Sequence, residues 1–309
     1  MEERETYAPV ALFVYNRLDN TRRTVEALRA NLYADKTVLY VFSDGGRDER
    51  SWSEVNEVRE YLGTVTGFAE VNIVERPVNF YLEPNVMQGI AEVLGKHDRI
   101  IVLEDDIVTG PYFLDFMNSS LDVYREDKRV MHVTGFNYFD MDEPRDFVFT
   151  RFMSCWGWAT WADRWESFNY YGSPQEALGG LTDSDKDVIQ YGGNFQSLKT
   201  LEYKVIPWDI CWVLSIYKQK GVCIMPVESL VRNVGIYSGT HARSQKIFGR
   251  FAFDREPSQR RLKVEYAEPQ INEKVETQLE EFFRKGLFRY NLFGRIARFV
   301  YLRIKGGKK

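Results

Sequence analysis

The feature that most constrains the fold is a short apolar run that ends in three consecutive acids. Ile100–Leu103 is rich in β-branched residues, which is typical of a strand buried on both faces of a sheet. Glu104, Asp105 and Asp106 follow at once. Adjacent carboxylates repel one another and lose hydration near a core, and a divalent cation would relieve both costs. We therefore interpret this acidic end as a metal and ligand site with oxygen ligands suited to magnesium or manganese. The alternative is that the acids cap the next turn in water.

Strand and helix patterns alternate along the first hundred residues. Apolar runs predict strands over Pro9–Tyr15, Thr37–Phe42 and Val71–Val74 before the run at Ile100, and amphipathic patterns predict helices between them. This alternation predicts an α/β fold with a mostly parallel sheet flanked by helices on both faces. The carboxyl ends of parallel strands lie at one edge of a sheet, where ligands bind. We expect Arg17, Asp44 and the acidic trio, which follow three of these strands, to converge there.

The pattern changes after a predicted strand over Val130–Thr134. Cys155–Trp161 holds three tryptophans, and we expect most of these rings to pack in a core while at least one lies under a sugar. A helix is predicted over Asp209–Gln219, where Asp209 is suited either to capping the helix or to a role in a site. Val231–Arg243 is predicted to be a loop of small, polar and glycine residues. It is either an ordinary surface loop or one that meets phosphates.

The last stretch, Phe282–Lys309, has no acid and nine basic residues, interleaved with aromatic and aliphatic side chains. This pattern predicts a basic amphipathic helix that lies on an anionic membrane surface. The alternative is a helix docked on the body of the protein or on a second subunit, which would make a homodimer.

Charge, cysteine content and hydropathy exclude several classes of protein. The net charge of −4 over 309 residues argues against a nucleic-acid binder. The three cysteines, Cys155, Cys211 and Cys223, are scattered and indicate neither a disulfide framework nor a zinc site. No apolar run of about 20 residues is present, and we expect no signal segment at the N-terminus. We therefore expect a cytoplasmic protein, peripheral on the inner face of the cell membrane through its basic tail.

In order and spacing, several segments resemble glycosyltransferases of the GT-A fold. The closest likeness is to the N-acetylglucosaminyltransferases that initiate complex N-glycans and to bacterial family 2-like sugar transferases. The resemblance runs from about Val10 to His241 and implies a Rossmann-like catalytic domain over residues 1–245, with a C-terminal extension over 246–309. It rests on Asn16-Arg17, Phe42-Ser43-Asp44, Glu104-Asp105-Asp106, Trp156-Gly157-Trp158, Trp208-Asp209 and Ser238-Gly239-Thr240-His241.

The resemblance implies a nucleotide site at the sheet edge. Asp106 would ligate Mn2+ or Mg2+ between the two phosphates of a uridine diphosphate (UDP) sugar, and Arg17 would contact a phosphate. Asp44 would read the uracil, and Asp105 would hold the ribose. The loop that carries Thr240 and His241 would close over the diphosphate.

The resemblance also implies how the sugar is held and transferred. Glu104 would hydrogen-bond a sugar hydroxyl, although many GT-A enzymes have Asp at this position. Trp158 and Trp208 would line the sugar pocket, and Asp209 would be the catalytic base. A further departure is at Asn85-Val86, where bacterial relatives tend to have a basic residue.

The predicted function is therefore an inverting, metal-dependent glycosyltransferase. It would move a hexosyl or N-acetylhexosaminyl group from a UDP-sugar to a hydroxyl of a glycan, and the basic tail favours a lipid-linked glycan of surface polysaccharide synthesis. Two alternatives remain. A nucleotidyltransferase would usually have a glycine-rich, basic loop after the first strand, where this chain has Asn16-Arg17-Leu18-Asp19. A non-catalytic sugar-binding or scaffold protein would not need the acidic trio together with Asp209.

Overall fold

The structure is a computed structural model that describes residues 6–195, 198, 201, 206–235 and 255–285. Its strands are β1 (Val10–Val14), β2 (Val38–Ser43), β3 (Glu70–Glu75), β4 (Arg99–Glu104), β5 (Ile107–Thr109), β6 (Val130–Thr134), β7 (Phe147–Thr150), β8 (Trp158–Trp161), β9 (Val222–Pro226) and β10 (Val231–Asn233). Its helices are α1 (Leu18–Arg29), α2 (Glu49–Leu62), α3 (Leu82–Leu94), α4 (Phe113–Val123), α5 (Ala162–Trp165), α6 (Pro174–Ala177), α7 (Asp183–Ile189) and α8 (Trp208–Lys218), with a 3-10 turn at Ala34–Lys36 and helical residues at 273–285.

The larger sheet has eight strands in the order β3-β2-β1-β4-β8-β6-β9-β7. The first four are parallel to one another, as their alternation with α1, α2 and α3 in the sequence requires. β8 enters antiparallel to both β4 and β6, and β7 is antiparallel to β9. The predicted fold, an α/β mostly parallel sheet with flanking helices, is confirmed.

Side chains of the central strands alternate between two apolar layers. In β1, Val10 and Leu12 belong to one cluster of buried residues, whereas Ala11 and Phe13 belong to the other. The first layer also takes side chains from α1, α2 and α4, and the second takes them from α3 and α8. A strand covered on both faces has no solvent-facing side, which explains why its sequence is a continuous apolar run.

Three strands, β5, β8 and β10, were not predicted. Trp158–Trp161 was expected only as an aromatic core segment, but it forms β8 in the middle of the sheet. The first residues of the predicted loop Val231–Arg243 form β10, which pairs antiparallel with β5 just beyond the acidic trio. The reason is that antiparallel pairing with sequence-distant strands leaves no periodic signal in so short a segment.

The described residues divide into two compact units. The first contains 6–170, 207–235 and 255–271, and it holds both sheets. The second contains the described parts of 171–206 together with 272–285, including α6 and α7. The predicted domain boundary at residue 245 falls outside the described residues and stays a prediction.

The predicted basic helix Phe282–Lys309 also lies outside the described residues, except for 282–285, which are helical. Within the described part of the chain, none of the helices combines the length and the apolar character needed to cross a bilayer.

Candidate functional site

The carboxyl ends of β1, β2 and β4 lie side by side. Phe13 is in register with Glu104, and Val14 is in register with Ser43. The residues that follow these strands therefore meet at one edge of the sheet, as the sequence predicted.

Arg17 forms an ion-pair cluster with two of the three acids. It donates from Nε to Asp105 Oδ2 (3.2 Å), from Nη2 to Asp105 Oδ1 and from Nη1 to Asp106 Oδ2 (3.0 Å). Arg17 follows β1 and is the N-cap residue of α1. This position lets the Arg17 side chain reach the turn after β4, which contains Asp105 and Asp106. A guanidinium bound by two carboxylates is held in a defined orientation.

The main chain around Asp106 is fixed by the small sheet of β5 and β10. Val234 N–H donates to the Asp106 carbonyl (2.8 Å), and Gly235 N–H donates to Asn233 Oδ1 (2.8 Å). Gly235 lies directly against the Asp106 carboxylate, because a Cβ atom built at position 235 would be 1.9 Å from Asp106 Oδ2. Sequence reasoning missed this contact, since it depends on a strand pair that was not predicted.

The carboxyl groups of Glu104 and Asp105 at this edge have raised pKa values, because burial outweighs the charge of Arg17. Burial raises the pKa of Glu104, and the charges of Asp106 and Asp105 raise it further, while Arg17 lowers it in part. Burial also raises the pKa of Asp105 against the opposing effect of Arg17. Although burial alone would lower the pKa of Arg17, the charges of Asp105 and Asp106 raise it overall, so the guanidinium stays charged. The site favours an additional cation or shared protons.

Asp209 lies in the first turn of α8, but Pro207 rather than Asp209 is the N-cap residue. Its carboxylate accepts a hydrogen bond from Ile210 N–H (2.9 Å). Burial raises its pKa to about 6, the hydrogen bonds from Ile210 and from its own N–H lower it, and the charge of Glu83 adds to the rise. Its pKa is therefore close to neutral pH, which suits a general base.

Two residues that the sequence did not single out lie within electrostatic range of Asp209. Glu83 belongs to the first turn of α3 and raises the pKa of Asp209. Cys155 is half-buried, and its pKa is raised well above the ordinary value by burial and by the charges of Asp209 and Glu104. The thiol therefore stays neutral beside these acids. No motif in the sequence pointed to either residue.

Asp44 has a structural role at the end of β2. Its Oδ1 accepts hydrogen bonds from Gly45 N–H (2.9 Å) and Phe80 N–H (2.7 Å), and its Oδ2 accepts one from Asn79 Nδ2 (3.0 Å). Burial raises its pKa against these donors. Asp44 thus joins the end of β2 to the segment before α3. Recognition of a uracil base by Asp44 stays a prediction.

The tryptophans are mostly buried, as expected for core packing. Trp158 is 0% and Trp208 is 3% exposed, and the two rings are stacked at 5.5 Å. Trp158 also stacks on His132 at 5.2 Å. Trp156 is only half-buried. A sugar contact by Trp158 or Trp208 stays a prediction, and their observed contacts connect the core to the start of α8.

His132 is fixed in one neutral form behind these rings. It is fully buried, and burial lowers its pKa to about 3. Trp212 Nε1 donates to His132 Nδ1 (3.2 Å), so the His132 proton is on Nε2, 3.2 Å from the Ser154 carbonyl. His132 therefore ties α8 to the segment before Trp156.

We expect His132→Phe to destabilise the protein by about 1–3 kcal/mol, because it leaves the buried Trp212 donor without an acceptor. Urea unfolding measures this loss. Trp212→Phe and the double variant complete a mutant cycle, in which the double variant should lose less than the sum of the two single losses. Additive losses would show that the hydrogen bond contributes nothing.

The donor set at this edge fits a hard divalent cation in part. The described residues contain no group of three or more His, Cys, Asp and Glu side chains arranged to hold a metal ion. The side chains present are carboxylates, which suit Mg2+ or Mn2+. The Asp106 carboxylate packs against Gly235, and its side chain is 13% exposed. The residues therefore fit a cation held by Asp106 and completed by oxygens of a bound ligand. Thr240 and His241 lie outside the described residues.

Comparisons with known proteins do not assign a family. No protein-family model matches the chain, and no curated protein matches it. Among solved structures, a mannosyltransferase from Pyrobaculum calidifontis in complex with GDP-Man and Mn2+ is 14% identical with a TM-score of 0.37, over 69% of this chain and 70% of that one. A UDP-glucose pyrophosphorylase complexed with UDP-glucose is 11% identical with a TM-score of 0.35, over 70% of this chain and 89% of that one. Likenesses this distant establish neither a family nor an activity for this chain.

Proposed function

We propose that the protein is an inverting, metal-dependent glycosyltransferase of the GT-A type that uses a UDP-sugar. Arg17 and a divalent cation held by Asp106 would bind the diphosphate. Asp105 would bind the ribose, and Glu104 would bind the transferred sugar. Asp209 would be the general base.

The observation that carries this proposal is the cluster of Arg17 with Asp105 and Asp106 at the sheet edge, with Asp209 in electrostatic range of Glu104. Arg17 with Asp105 and Asp106 is suited to a diphosphate and its cation, because guanidinium groups bind phosphate oxygens and carboxylates bind hard cations. Asp209 is close enough to Glu104 to raise the pKa of Glu104. A carboxylate base in range of a diphosphate site would supply what glycosyl transfer needs.

The proposed reaction is a single displacement. The acceptor hydroxyl gives its proton to the Asp209 carboxylate while its oxygen forms a bond to the anomeric carbon. The bond from that carbon to the diphosphate oxygen breaks, and its electron pair leaves with UDP. Attack from the side opposite the leaving group inverts the anomeric configuration. The cation, when bound, would supply positive charge to the departing diphosphate, and Arg17 adds a second positive charge there.

The acceptor is proposed to be a glycan hydroxyl, and the basic residues of Phe282–Lys309 favour a glycan carried by a lipid. Bases with interleaved aromatic residues are attracted to anionic headgroups, which would place the enzyme on the inner face of the cell membrane.

The first test is a thermal-shift panel of nucleotide diphosphate sugars, each with Mn2+, Mg2+ or a chelator. Ligand at one hundred times its Kd stabilises the folded state by about 2.7 kcal/mol. We expect uridine donors to raise the melting temperature only when Mn2+ or Mg2+ is present, and the best donor identifies the sugar.

The panel also distinguishes the alternatives. If no nucleotide sugar raises the melting temperature with either metal, the acids are structural and the protein is not an enzyme of this kind. If the best donor and added pyrophosphate yield a nucleoside triphosphate, the activity is nucleotidyl transfer instead.

A further inference from the structure

Arg17 donates hydrogen bonds from three nitrogens to two neighbouring acids, two of them to Asp105 and one to Asp106. Nε and Nη2 bind the two oxygens of Asp105, whereas Nη1 alone binds Asp106, at Oδ2. The Asp105 side chain is 3% exposed, while those of Asp106 and Arg17 are 13% and 32% exposed. The buried end of the guanidinium is therefore anchored on Asp105, and the more exposed end lies on Asp106.

The oxygen that Arg17 Nη1 occupies is the one that faces Gly235. Because a Cβ at position 235 would be 1.9 Å from Asp106 Oδ2, this oxygen is in contact with both the glycine and the guanidinium. A divalent cation on Asp106 would then be next to a guanidinium that cannot lose its proton, and two like charges at such a distance repel strongly in a partly buried site. Mn2+ alone must therefore compete with Arg17 for Asp106.

A diphosphate changes this competition. Phosphate oxygens are good bidentate partners for a guanidinium. A diphosphate at this edge offers Nη1 a replacement for Asp106, while Nε and Nη2 remain on Asp105. The bound diphosphate also supplies oxygens and negative charge to the cation.

We propose that Arg17 is a resident counter-ion of Asp106 that blocks the metal position until a nucleoside diphosphate draws its Nη1 away, so that metal and nucleotide bind as a coupled pair. The proposal rests on the proposed function and adds a regulation to it: the site stays without metal in the absence of donor. By linkage, the factor by which the nucleotide tightens Mn2+ equals the factor by which Mn2+ tightens the nucleotide.

The test measures Mn2+ binding directly, without any transfer reaction. Free Mn2+ is quantified by electron paramagnetic resonance during titration of the full chain, with and without UDP. We expect UDP to tighten Mn2+ binding to the wild type by on the order of tenfold or more. We expect Arg17→Gln to tighten Mn2+ binding in the absence of UDP by a comparable factor and to reduce the further gain from UDP.

A matched control removes the same charge at the same sheet edge without touching Asp106. Arg47 donates to Asn79 Oδ1 (3.1 Å) and lies over the Tyr81 ring at 4.9 Å. Arg47→Gln should leave Mn2+ binding without UDP close to wild type. If it tightens Mn2+ binding as much as Arg17→Gln does, the effect is general electrostatics and the proposal is overturned.

The outcomes separate this inference from the proposed function. If UDP tightens Mn2+ binding in the wild type but Arg17→Gln binds Mn2+ alone no better than the wild type does, the counter-ion proposal fails and the proposed function stands. If Mn2+ does not bind with UDP or with any uridine donor, both fail. Circular dichroism checks folding. Should Arg17→Gln not fold, Arg17→Lys serves as the variant, because its single ammonium cannot bind both acids as the fork does and should give an intermediate tightening.

Discussion

Asp209→Asn is expected to reduce sugar transfer by about 100- to 10,000-fold while leaving donor binding close to wild type. The amide is nearly the same size as the carboxylate, but at neutral pH it cannot take the proton from the acceptor hydroxyl. Among the described residues, Asp209 forms no hydrogen bond or ion pair with Arg17, so we expect the proposed diphosphate site to be unchanged. Transfer is measured as UDP release in the presence of acceptor, and donor affinity as the Mn2+-dependent thermal shift. Full activity of the variant would remove Asp209 from the mechanism.

The pH profile gives an independent measure of the same carboxylate. Because burial raises the pKa of Asp209 to about 6, the transfer rate should be half-maximal near pH 6 and level off about one pH unit higher. Glu83 contributes to that raised pKa through its charge. Glu83→Gln should therefore move the rising limb to lower pH without abolishing transfer. If Glu83→Gln leaves the rising limb at the wild-type pH, and replacing a different acid removes the limb, the base is that other acid and not Asp209.

Asp209→Asn should also change the dependence of stability on pH. The folded pKa of Asp209 is above the unfolded value of about 3.9, so the folded state binds more protons between these values. This group therefore makes the free energy of unfolding fall as pH rises from about 4 to about 6. Asparagine removes that term, and urea unfolding at pH 5 and pH 8 should show a smaller loss of stability for the variant. An unchanged pH dependence would mean that Asp209 is not perturbed.

The sheet could be predicted because its signals are local. Each parallel strand is an apolar run, and each helix between them has an amphipathic stripe. The sequence predicted β6 at Val130–Thr134 with the observed bounds. The meeting of Arg17 with Asp105 and Asp106 also followed from local reasoning, because the ends of parallel strands must lie at one edge.

What the sequence did not predict depends on contacts between distant segments. β8 is placed by antiparallel pairing with β4 and β6, and β10 by pairing with β5. The role of Asp44 depends on donors from the segment before α3, of which Phe80 N–H is one. Gly235 could not be linked to Asp106 without β10. None of these pairings leaves a periodic pattern in the sequence.

Gly235→Ala is expected to weaken Mn2+-dependent donor binding strongly while the protein stays folded. The new Cβ would be 1.9 Å from Asp106 Oδ2 and 2.7 Å from its Cγ, so the carboxylate must rotate away. The displaced carboxylate loses its contact with Arg17 Nη1 and its position toward a cation. We expect donor affinity with Mn2+ to fall at least about tenfold, which corresponds to about 1.4 kcal/mol, and to approach that of Asp106→Ala. Melting temperature and the thermal shift with donor and Mn2+ measure the two properties separately.

Gly63→Ala is the matched control, because it adds the same methyl group where there is room. Gly63 follows α2 with right-handed helical angles (φ −61, ψ −14), and its nearest neighbour to a new Cβ is Glu60 O at 3.5 Å. Alanine should raise stability there by about 0.4–1 kcal/mol by reducing the freedom of the unfolded chain, with no effect on donor binding. If Gly235→Ala retains Mn2+-dependent donor binding at wild-type strength, Asp106 does not hold the cation. Such a result would place the metal on another acid of this edge, and Glu104 would be the next to test.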